Sequence, residues 1–259
     1  MKEFLLSLLF FISFSGCASA TGIVEECRHV LSEKFPNLST EHITVSPEPH
    51  FCEIEAGGNI LYLNPEQQFF LFGDLVDFDG RNLTAEARQR IVAEKVAALP
   101  LENSLKFGKG KERVIIFVDP DCPGCKRLEK FLLSPDILEN ISLHVFLFPL
   151  EKIHPDSRKH CLEILCAENP REKILEFAKG SEKGRKESSI SSNCLEKAEK
   201  QLAAMIDAGQ AFQVRGTPTV IINNRILGGN VLQISRELLR LADLSSKGGT
   251  PKNNPNEKE

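Results

Sequence analysis

The sequence is poor in the features that mark several classes of binding protein. Its formal net charge is −4 at pH 7 and no basic stripe occurs along it, so there is no electrostatic case for nucleic acid as a partner. It has only two methionines and six scattered histidines, and the lack of Met-rich or His-rich stretches argues against a copper handler. No segment beyond the N-terminal one approaches the ~20 apolar residues of a membrane-spanning helix.

The N-terminus has the pattern of a secretory signal. Lys2 precedes an apolar run from Phe4 to Phe14, which is too short to span a bilayer, and Ala18-Ser19-Ala20 provides the small residues of a cleavage site. Residues 1–20 are therefore predicted to be a signal peptide, and the protein is expected to be exported. The alternative is that Cys17 in "FSGC" is the lipid-anchored first residue of a bacterial lipoprotein. Phenylalanine is uncommon at the first position of the lipoprotein motif, which disfavours this alternative.

In an exported protein each cysteine is expected to form a disulfide or to have a chemical function, because thiols outside the cytosol tend to be oxidised. Loss of Cys17 with the signal peptide leaves an odd number of cysteines. At least one of them must be free, intermolecular or reactive. The set is Cys27, Cys52, Cys122, Cys125, Cys161, Cys166 and Cys194.

The chain divides by pattern into a small N-terminal part and a larger second part. Residues 21–83 are predicted to form a small α+β unit, with a hairpin turn at Gly57-Gly58-Asn59. An exposed sheet edge in such a unit would be a natural dimerisation surface. Residues 84–105 are predicted to be a linker helix, for which Thr84 fits the N-cap, followed by a polar, turn-like segment.

The second part, residues 106–243, is predicted to have a thioredoxin-like α/β fold. From Arg113 onward, strands and helices follow in the order β-α-β-α-β-β-α, with a helical insertion before the last two strands. The run "RVIIFVD" is dominated by the β-branched residues valine and isoleucine, as expected of a strand that is buried on both faces. Residues 244–259 are rich in Pro, Gly and polar residues and are predicted to be a disordered tail.

The stretch "FVDPDCPGCKRLEKFL" places two cysteines, Cys122 and Cys125, where a strand passes into a helix. A cysteine in the first turn of a helix faces unpaired N–H groups and the positive end of the helix dipole, which favour the thiolate. Cys125 follows one turn later on the same side and is placed to resolve a mixed disulfide. Asp121 opposes the thiolate by its charge, and Lys126 and Arg127 offset that charge.

Other interpretations of the cysteine pair have less support. A zinc site needs a second pair of ligands at suitable spacing, and a c-type haem site needs a histidine where the chain has Lys126. An inert disulfide across a two-residue loop would stabilise little. We therefore predict a redox-active dithiol with no metal and no cofactor. In "VRGTPTVII", Pro218 enters a buried strand, and with a CxxC pair present the Thr217-Pro218 bond is predicted to lie opposite the dithiol.

At these residues the chain resembles the DsbC/DsbG family of periplasmic thiol:disulfide isomerases. The dithiol stretch resembles the family's active site, "RGTPTVII" resembles its cis-proline loop, and "GGNILYL…FFLFGDLVDFDGRNLT" resembles its small dimerisation domain. The resemblance implies a homodimer in which Cys122 attacks a wrong disulfide of a misfolded exported protein and Cys125 releases the product. It also implies that Thr217 and cis Pro218 bind extended substrate backbone, and that a membrane reductase of the DsbD type keeps the pair reduced.

The remaining cysteines are assigned with the help of this resemblance. It implies that Cys166 and Cys194 form the family's second, structural disulfide. Cys161 and Cys166 lie ~140° apart around a helix, so they are not expected to pair with each other. Cys27 and Cys52 share the small N-terminal unit and are predicted to join its helix to a strand, which leaves Cys161 as a buried free thiol.

Two alternatives are kept beside the isomerase or reductase interpretation. The Pro-Gly dipeptide between the cysteines and Asp121 before them depart from the family's usual residues, and a DsbA-like net oxidase on the same fold is therefore the first alternative. A holdase chaperone that binds unfolded proteins without using the dithiol is the second alternative.

Overall fold

The computed structural model of the protein describes residues 20–38, 42–179 and 190–246. The predicted signal peptide lies outside these residues except for Ala20, and so do Cys17 and the predicted tail after Ser246. The chain divides into two compact units between Gly73 and Asp74. This division precedes the predicted linker helix, which belongs to the second unit. None of the helices in the described ranges has the length and apolar character that spanning a membrane requires.

The N-terminal unit is one helix and one antiparallel sheet. Its strands follow one another in chain order across the sheet, and each pairs with the next. The turn between the second and third strands contains Gly57 and Gly58 at φ 63° and 83°, values that favour glycine. The elements are α1 (Ala20–Lys34), β1 (Ile43–Val45), β2 (Cys52–Ala56), β3 (Asn59–Asn64) and β4 (Phe69–Phe72).

A disulfide joins α1 to β2 inside this unit. Cys27 and Cys52 are fully buried, with an S–S length of 2.02 Å and 6.5 Å between their Cα atoms. They lie in a small apolar core that also contains Leu31, Ile54 and Leu63. The core is thin, so the covalent link between helix and sheet is a main part of what holds the unit together.

The second unit begins with α2 (Leu83–Ala97), and its N-cap differs from the prediction. Asn82, not Thr84, is the N-cap, and its side-chain oxygen accepts a hydrogen bond from the Ala85 N–H at 2.8 Å. Thr84 is buried inside the first turn, where its hydroxyl accepts from the Leu75 N–H at 2.8 Å. Asn and Thr side chains both cap helices. Which of the two residues is the N-cap therefore depends on the path of the segment that precedes α2, not on residue type.

Five strands form the sheet of the second unit. They lie in the order β5-β7-β6-β8-β9, with β6 and β7 parallel and the other neighbours antiparallel. The sequence predicted a turn-like segment where β5 lies, and this prediction was wrong. The strands are β5 (Leu105–Phe107), β6 (Glu112–Val118), β7 (Ile141–Leu147), β8 (Thr219–Ile222) and β9 (Arg225–Gly228).

The described part of this unit has six further α-helices, which lie between the strands along the chain or after the last of them. The last of them continues to Ser246, three residues into the segment that was predicted as a disordered tail. The helices are α3 (Pro123–Leu132), α4 (Pro135–Leu138), α5 (Ser157–Leu165), α6 (Pro170–Ala178), α7 (Ser192–Ala211) and α8 (Val231–Ser246).

The central strand β6 fixes the position of the dithiol. Its residues from Val114 to Val118 are all buried, as the β-branched run predicted. Phe117 packs against Phe146, Phe148 and Phe212, with ring centroids 5.2 to 6.4 Å apart. The chain leaves this strand at Val118 and enters α3 at Pro123, so the cysteines stand at the carboxyl end of a buried central strand.

Candidate active site

The turn between β6 and α3 is held by Asp119, a residue that the sequence analysis did not single out. Its fully buried carboxylate accepts hydrogen bonds from the main-chain N–H groups of Asp121 and Leu150, each at 2.7 Å. The same carboxylate lies 3.0 Å from His154 Nδ1. Asp119 therefore ties the turn that carries Cys122 to the loop after β7, and this preorganises the site.

The sequence predicted that helix α3 starts at Cys122, but Cys122 is its N-cap and the helix begins one position later, at Pro123. The φ and ψ of Cys122 are −66° and 123°, and Pro123 occupies the first helical position, where its missing N–H costs nothing. Cys122 is 9% exposed and Cys125 is 0% exposed. Only the first sulfur can therefore meet a large substrate.

Hydrogen bonds to the Cys122 sulfur favour its thiolate. The Cys125 thiol and the Cys125 N–H group, with smaller effects of the Thr217 side chain and the Gly124 N–H group, lower the pKa of Cys122 to about 5, although burial opposes them. The two N–H groups belong to the first turn of α3, where no carbonyl of the helix can accept from them. At neutral pH the Cys122 sulfur is therefore a thiolate.

Cys125 has the opposite character. Burial raises the pKa of the Cys125 thiol well above its usual value, and so do its hydrogen bond to Cys122 and the charges of Glu129 and Cys122. The pair thus consists of an ionised outer sulfur and a protonated inner one. This asymmetry suits Cys122 as the attacking nucleophile and Cys125 as the resolving thiol.

The charge of Asp121, expected to oppose the Cys122 thiolate, has two partners. Asp121 Oδ2 lies 2.7 Å from His160 Nδ1, and Oδ1 lies 3.8 Å from Lys126 Nζ. The sequence analysis suggested Lys126 for this task and gave His160 no role. His160 comes from α5, which is distant along the chain, and a lone histidine gives no local signal of such a contact.

The Thr217-Pro218 loop lies against the dithiol. The peptide bond between the two residues is cis, and Cys122 Sγ lies 3.2 Å from the Thr217 carbonyl oxygen. A Cβ atom on Gly124 would come within 3.1 Å of Pro218 Cδ and 3.7 Å of Cys122 Sγ. Glycine at this place in the dithiol therefore leaves room for the proline beside the reactive sulfur. The structure brings all four predicted residues of the site together.

Glu129 is a further group that the sequence analysis missed. It lies on the buried face of α3 with Cys125, Leu128 and Leu132, and it is 4% exposed. Burial, together with the charge of the Cys122 thiolate, raises the pKa of the Glu129 carboxyl to about 8. The spacing of four residues from Cys125 was the signal in the sequence that would have found it.

The other cysteines of the second unit lie outside the dithiol. A disulfide of 2.10 Å joins Cys166, the C-cap of α5, to Cys194 in the first turn of α7. Cys161 is a buried free thiol, and burial raises its pKa well above the usual value. Within the described ranges, no group of three or more His, Cys, Asp or Glu side chains is arranged to hold a metal ion.

Two family profiles match the chain, and together they span both units. Residues 18–85 match the disulfide bond isomerase protein N-terminal domain. Residues 106–231 match the thioredoxin-like domain. The second match contains the dithiol, the cis proline and the residues around them. The fold is therefore a thioredoxin-like domain preceded by the N-terminal domain of disulfide isomerases.

Several relatives of this chain are named as probable thiol:disulfide interchange proteins. The chain is 30% identical over 194 residues to the probable thiol:disulfide interchange protein DsbC of Bordetella avium, covering 73% of this chain and 64% of the relative. It is 26% identical over 203 residues to the protein of the same name from Bordetella pertussis, covering 77% of this chain and 66% of the relative. The chain thus spans just under two thirds of the length of these relatives.

Among solved structures, a disulfide interchange protein from Neisseria gonorrhoeae is 27% identical to this chain. It aligns with a TM-score of 0.41, over 54% of this chain and 97% of that protein. The two domain matches and the Bordetella relatives agree with the arrangement of the dithiol and the cis proline. The chain thus combines the N-terminal domain of disulfide bond isomerases with a thioredoxin-like domain, and it is similar to the DsbC thiol:disulfide interchange proteins.

Proposed function

We propose that this protein isomerises or reduces wrong disulfides in exported proteins through the Cys122-Cys125 dithiol. The observation that carries the proposal is the asymmetry of the pair, because a thiolate that is 9% exposed stands next to a fully buried, protonated thiol. A net oxidase is the alternative within the same fold. A holdase that needs no dithiol has no feature of the site in its favour.

The reaction follows from this asymmetry. The Cys122 thiolate attacks one sulfur of the client disulfide, a Cys122–client disulfide forms, and the other client sulfur leaves as a thiolate. That thiolate can attack another disulfide of the client, and the rearranged client finally displaces Cys122. Alternatively Cys125 attacks Cys122, which releases the client reduced and leaves the Cys122–Cys125 disulfide. A membrane reductase of the DsbD type would then restore the dithiol.

The client would be held by the loop beside the sulfur. Thr217 and Pro218 begin the approach to β8, and the Thr217 carbonyl is within 3.2 Å of Cys122 Sγ. An extended segment of client backbone that pairs with Thr217 would place its cysteine next to the thiolate. Main-chain recognition of this kind is independent of client sequence, as a protein acting on many misfolded chains requires.

The N-terminal unit would join two copies of the chain into a homodimer. Its sheet ends at β4, an edge strand on which Phe69 is 41% and Phe72 is 76% exposed. An apolar edge strand of this kind favours pairing with another chain. Export to the periplasm by the N-terminal signal would place the dimer where disulfides form and become scrambled.

Recovery of an inactive enzyme with scrambled disulfides tests the function. The reduced protein, without added oxidant, is expected to restore the activity of the scrambled enzyme. The Cys122→Ala variant is expected to restore none of that activity. Cys161→Ala is the matched control, since it removes a buried free thiol outside the dithiol. Rapid oxidation of a reduced client by the disulfide form, without recovery of the scrambled one, would instead make the protein an oxidase.

A further inference from the structure

A buried carboxyl group lies one helical turn beyond the resolving thiol. Glu129 follows Cys125 by four residues on α3, and both side chains are on the buried face of that helix. Glu129 Oε2 is buried and has no hydrogen-bond partner among the described residues. An unpartnered carboxyl oxygen in the interior is costly, which makes a purely structural role a poor explanation of this residue.

The electrostatic surroundings of Glu129 change with the state of the dithiol. Burial raises the pKa of Glu129 to about 8, with the Cys122 thiolate and Asp119 acting in the same direction and Lys126 in the other. Glu129 in turn acts on Cys125 and on the free thiol Cys161. When Cys122 enters a mixed disulfide it loses its negative charge. The ionised form of Glu129 then becomes more favourable than it is in the resting dithiol.

At the same stage Cys125 must lose its proton. Only a thiolate attacks a disulfide, and burial holds Cys125 in the thiol form. The two other carboxylates near the pair are already engaged. Asp119 accepts two main-chain hydrogen bonds, and Asp121 has His160 Nδ1 at 2.7 Å from Oδ2 and Lys126 Nζ at 3.8 Å from Oδ1. Glu129 lies on the same helix face as Cys125, and its buried Oε2 has no hydrogen-bond partner among the described residues.

We propose that Glu129 accepts the proton of Cys125 in the resolving step, and that loss of the Cys122 charge in the mixed disulfide switches it to the accepting form. The inference rests on the proposed function, in which Cys125 resolves that intermediate. Glu129 first releases its proton to solvent and then takes the proton of the Cys125 thiol. The Cys122–Cys125 bond forms, the Cys122–client bond breaks, and the client thiolate takes a proton from solvent.

One equivalent of 5,5′-dithiobis(2-nitrobenzoate) added to the reduced protein separates the two steps. Attack by Cys122 releases the first coloured thiolate in a phase that depends on concentration. Attack by Cys125 releases the second in a phase that does not. At pH 7, Glu129→Gln is expected to leave the first phase within about twofold and to slow the second by about 100-fold, the usual scale of general base catalysis.

The sign of the effect distinguishes proton transfer from a simple charge effect. The carboxylate disfavours ionisation of Cys125, so a Glu129 that acted only by its charge would, when removed, leave the second phase unchanged or faster. Either result in Glu129→Gln would overturn the inference. Absence of the second phase in the wild-type protein would overturn the reductive branch of the proposed function, in which Cys125 resolves the mixed disulfide, and this inference with it.

Control variants keep the test independent of folding. Glu163→Gln removes another buried carboxyl, one that has Lys173 Nζ at 3.7 Å, and is expected to change neither phase. Glu129→Asp keeps the acid on a shorter side chain and is expected to recover part of the rate of the second phase. Circular dichroism checks that each variant has the fold of the wild-type protein. Glutamine has the shape of a neutral glutamic acid, so Glu129→Gln should preserve the packing of the side chain. A second phase in Glu129→Asp as slow as in Glu129→Gln, with the fold intact, would contradict proton transfer.

Discussion

Alkylation of the reduced protein by iodoacetamide is expected to occur at Cys122 and to follow a group that titrates near pH 5. The cause is the set of hydrogen bonds from Cys125, Gly124 and Thr217, which lower the pKa of Cys122 to about 5 from the usual value of 9.0. The rate should be constant from about pH 6 to pH 8 and fall about tenfold for each pH unit well below 5, because protonation removes the nucleophile. Peptide mass spectrometry after short reaction times measures the rate at each cysteine.

A change of the hydroxyl next to the sulfur provides the matched comparison. Thr217→Val removes the side-chain hydroxyl that helps to lower the pKa of Cys122, and is expected to move the midpoint of the profile to higher pH. Thr219→Val removes a hydroxyl that donates to the Gly216 carbonyl instead, so it should leave the midpoint in place. A wild-type profile with its midpoint near pH 9 would show that the helix and the loop do not activate Cys122.

Removal of the Cys27–Cys52 disulfide is expected to unfold the N-terminal unit under conditions in which the second unit stays folded. Closing a loop with a sequence separation of 25 stabilises a folded chain by about 3 kcal/mol. That is a large share of the stability of a unit with so small a core. Hydrogen exchange of the variant with both cysteines changed to alanine should show lost protection in β1 to β4.

The second disulfide controls for the general effect of cross-links. Cys166 and Cys194 have a similar sequence separation of 28 but lie in the other unit. Their replacement by alanine should lower protection around α5 and α7 and leave the N-terminal sheet unchanged. Retained protection of that sheet after loss of Cys27 and Cys52 would contradict the role assigned to their disulfide.

The parts of the fold that the sequence predicted are those with a local physical cause. β6 follows from a β-branched run that only a strand buried on both faces accommodates, and the N-terminal hairpin follows from Gly57 and Gly58 at positive φ. The dithiol could be located because a strand, a CxxC pair and a helix are adjacent in the chain. Each of these signals lies within a few residues.

The parts that the sequence did not predict depend on distant contacts. β5 has only three residues and exists because Leu105, Lys106 and Phe107 pair with β7, about 40 residues later. The interaction of His160 with Asp121 likewise depends on where α5 packs. Glu129 carried a local signal, its spacing from Cys125, but its burial depends on the elements that cover α3. Such features are set by the tertiary structure rather than by a motif.

Trapping of a client on the dithiol tests the central claim most directly. Cys125→Ala, mixed with a protein of scrambled disulfides, is expected to accumulate a covalent complex whose only new bond, by mass spectrometry, joins Cys122 to a client cysteine. The variant with both Cys122 and Cys125 changed to alanine should form none. A complex joined through Cys161, or no complex while the wild-type protein still recovers the client, would contradict nucleophilic attack by Cys122.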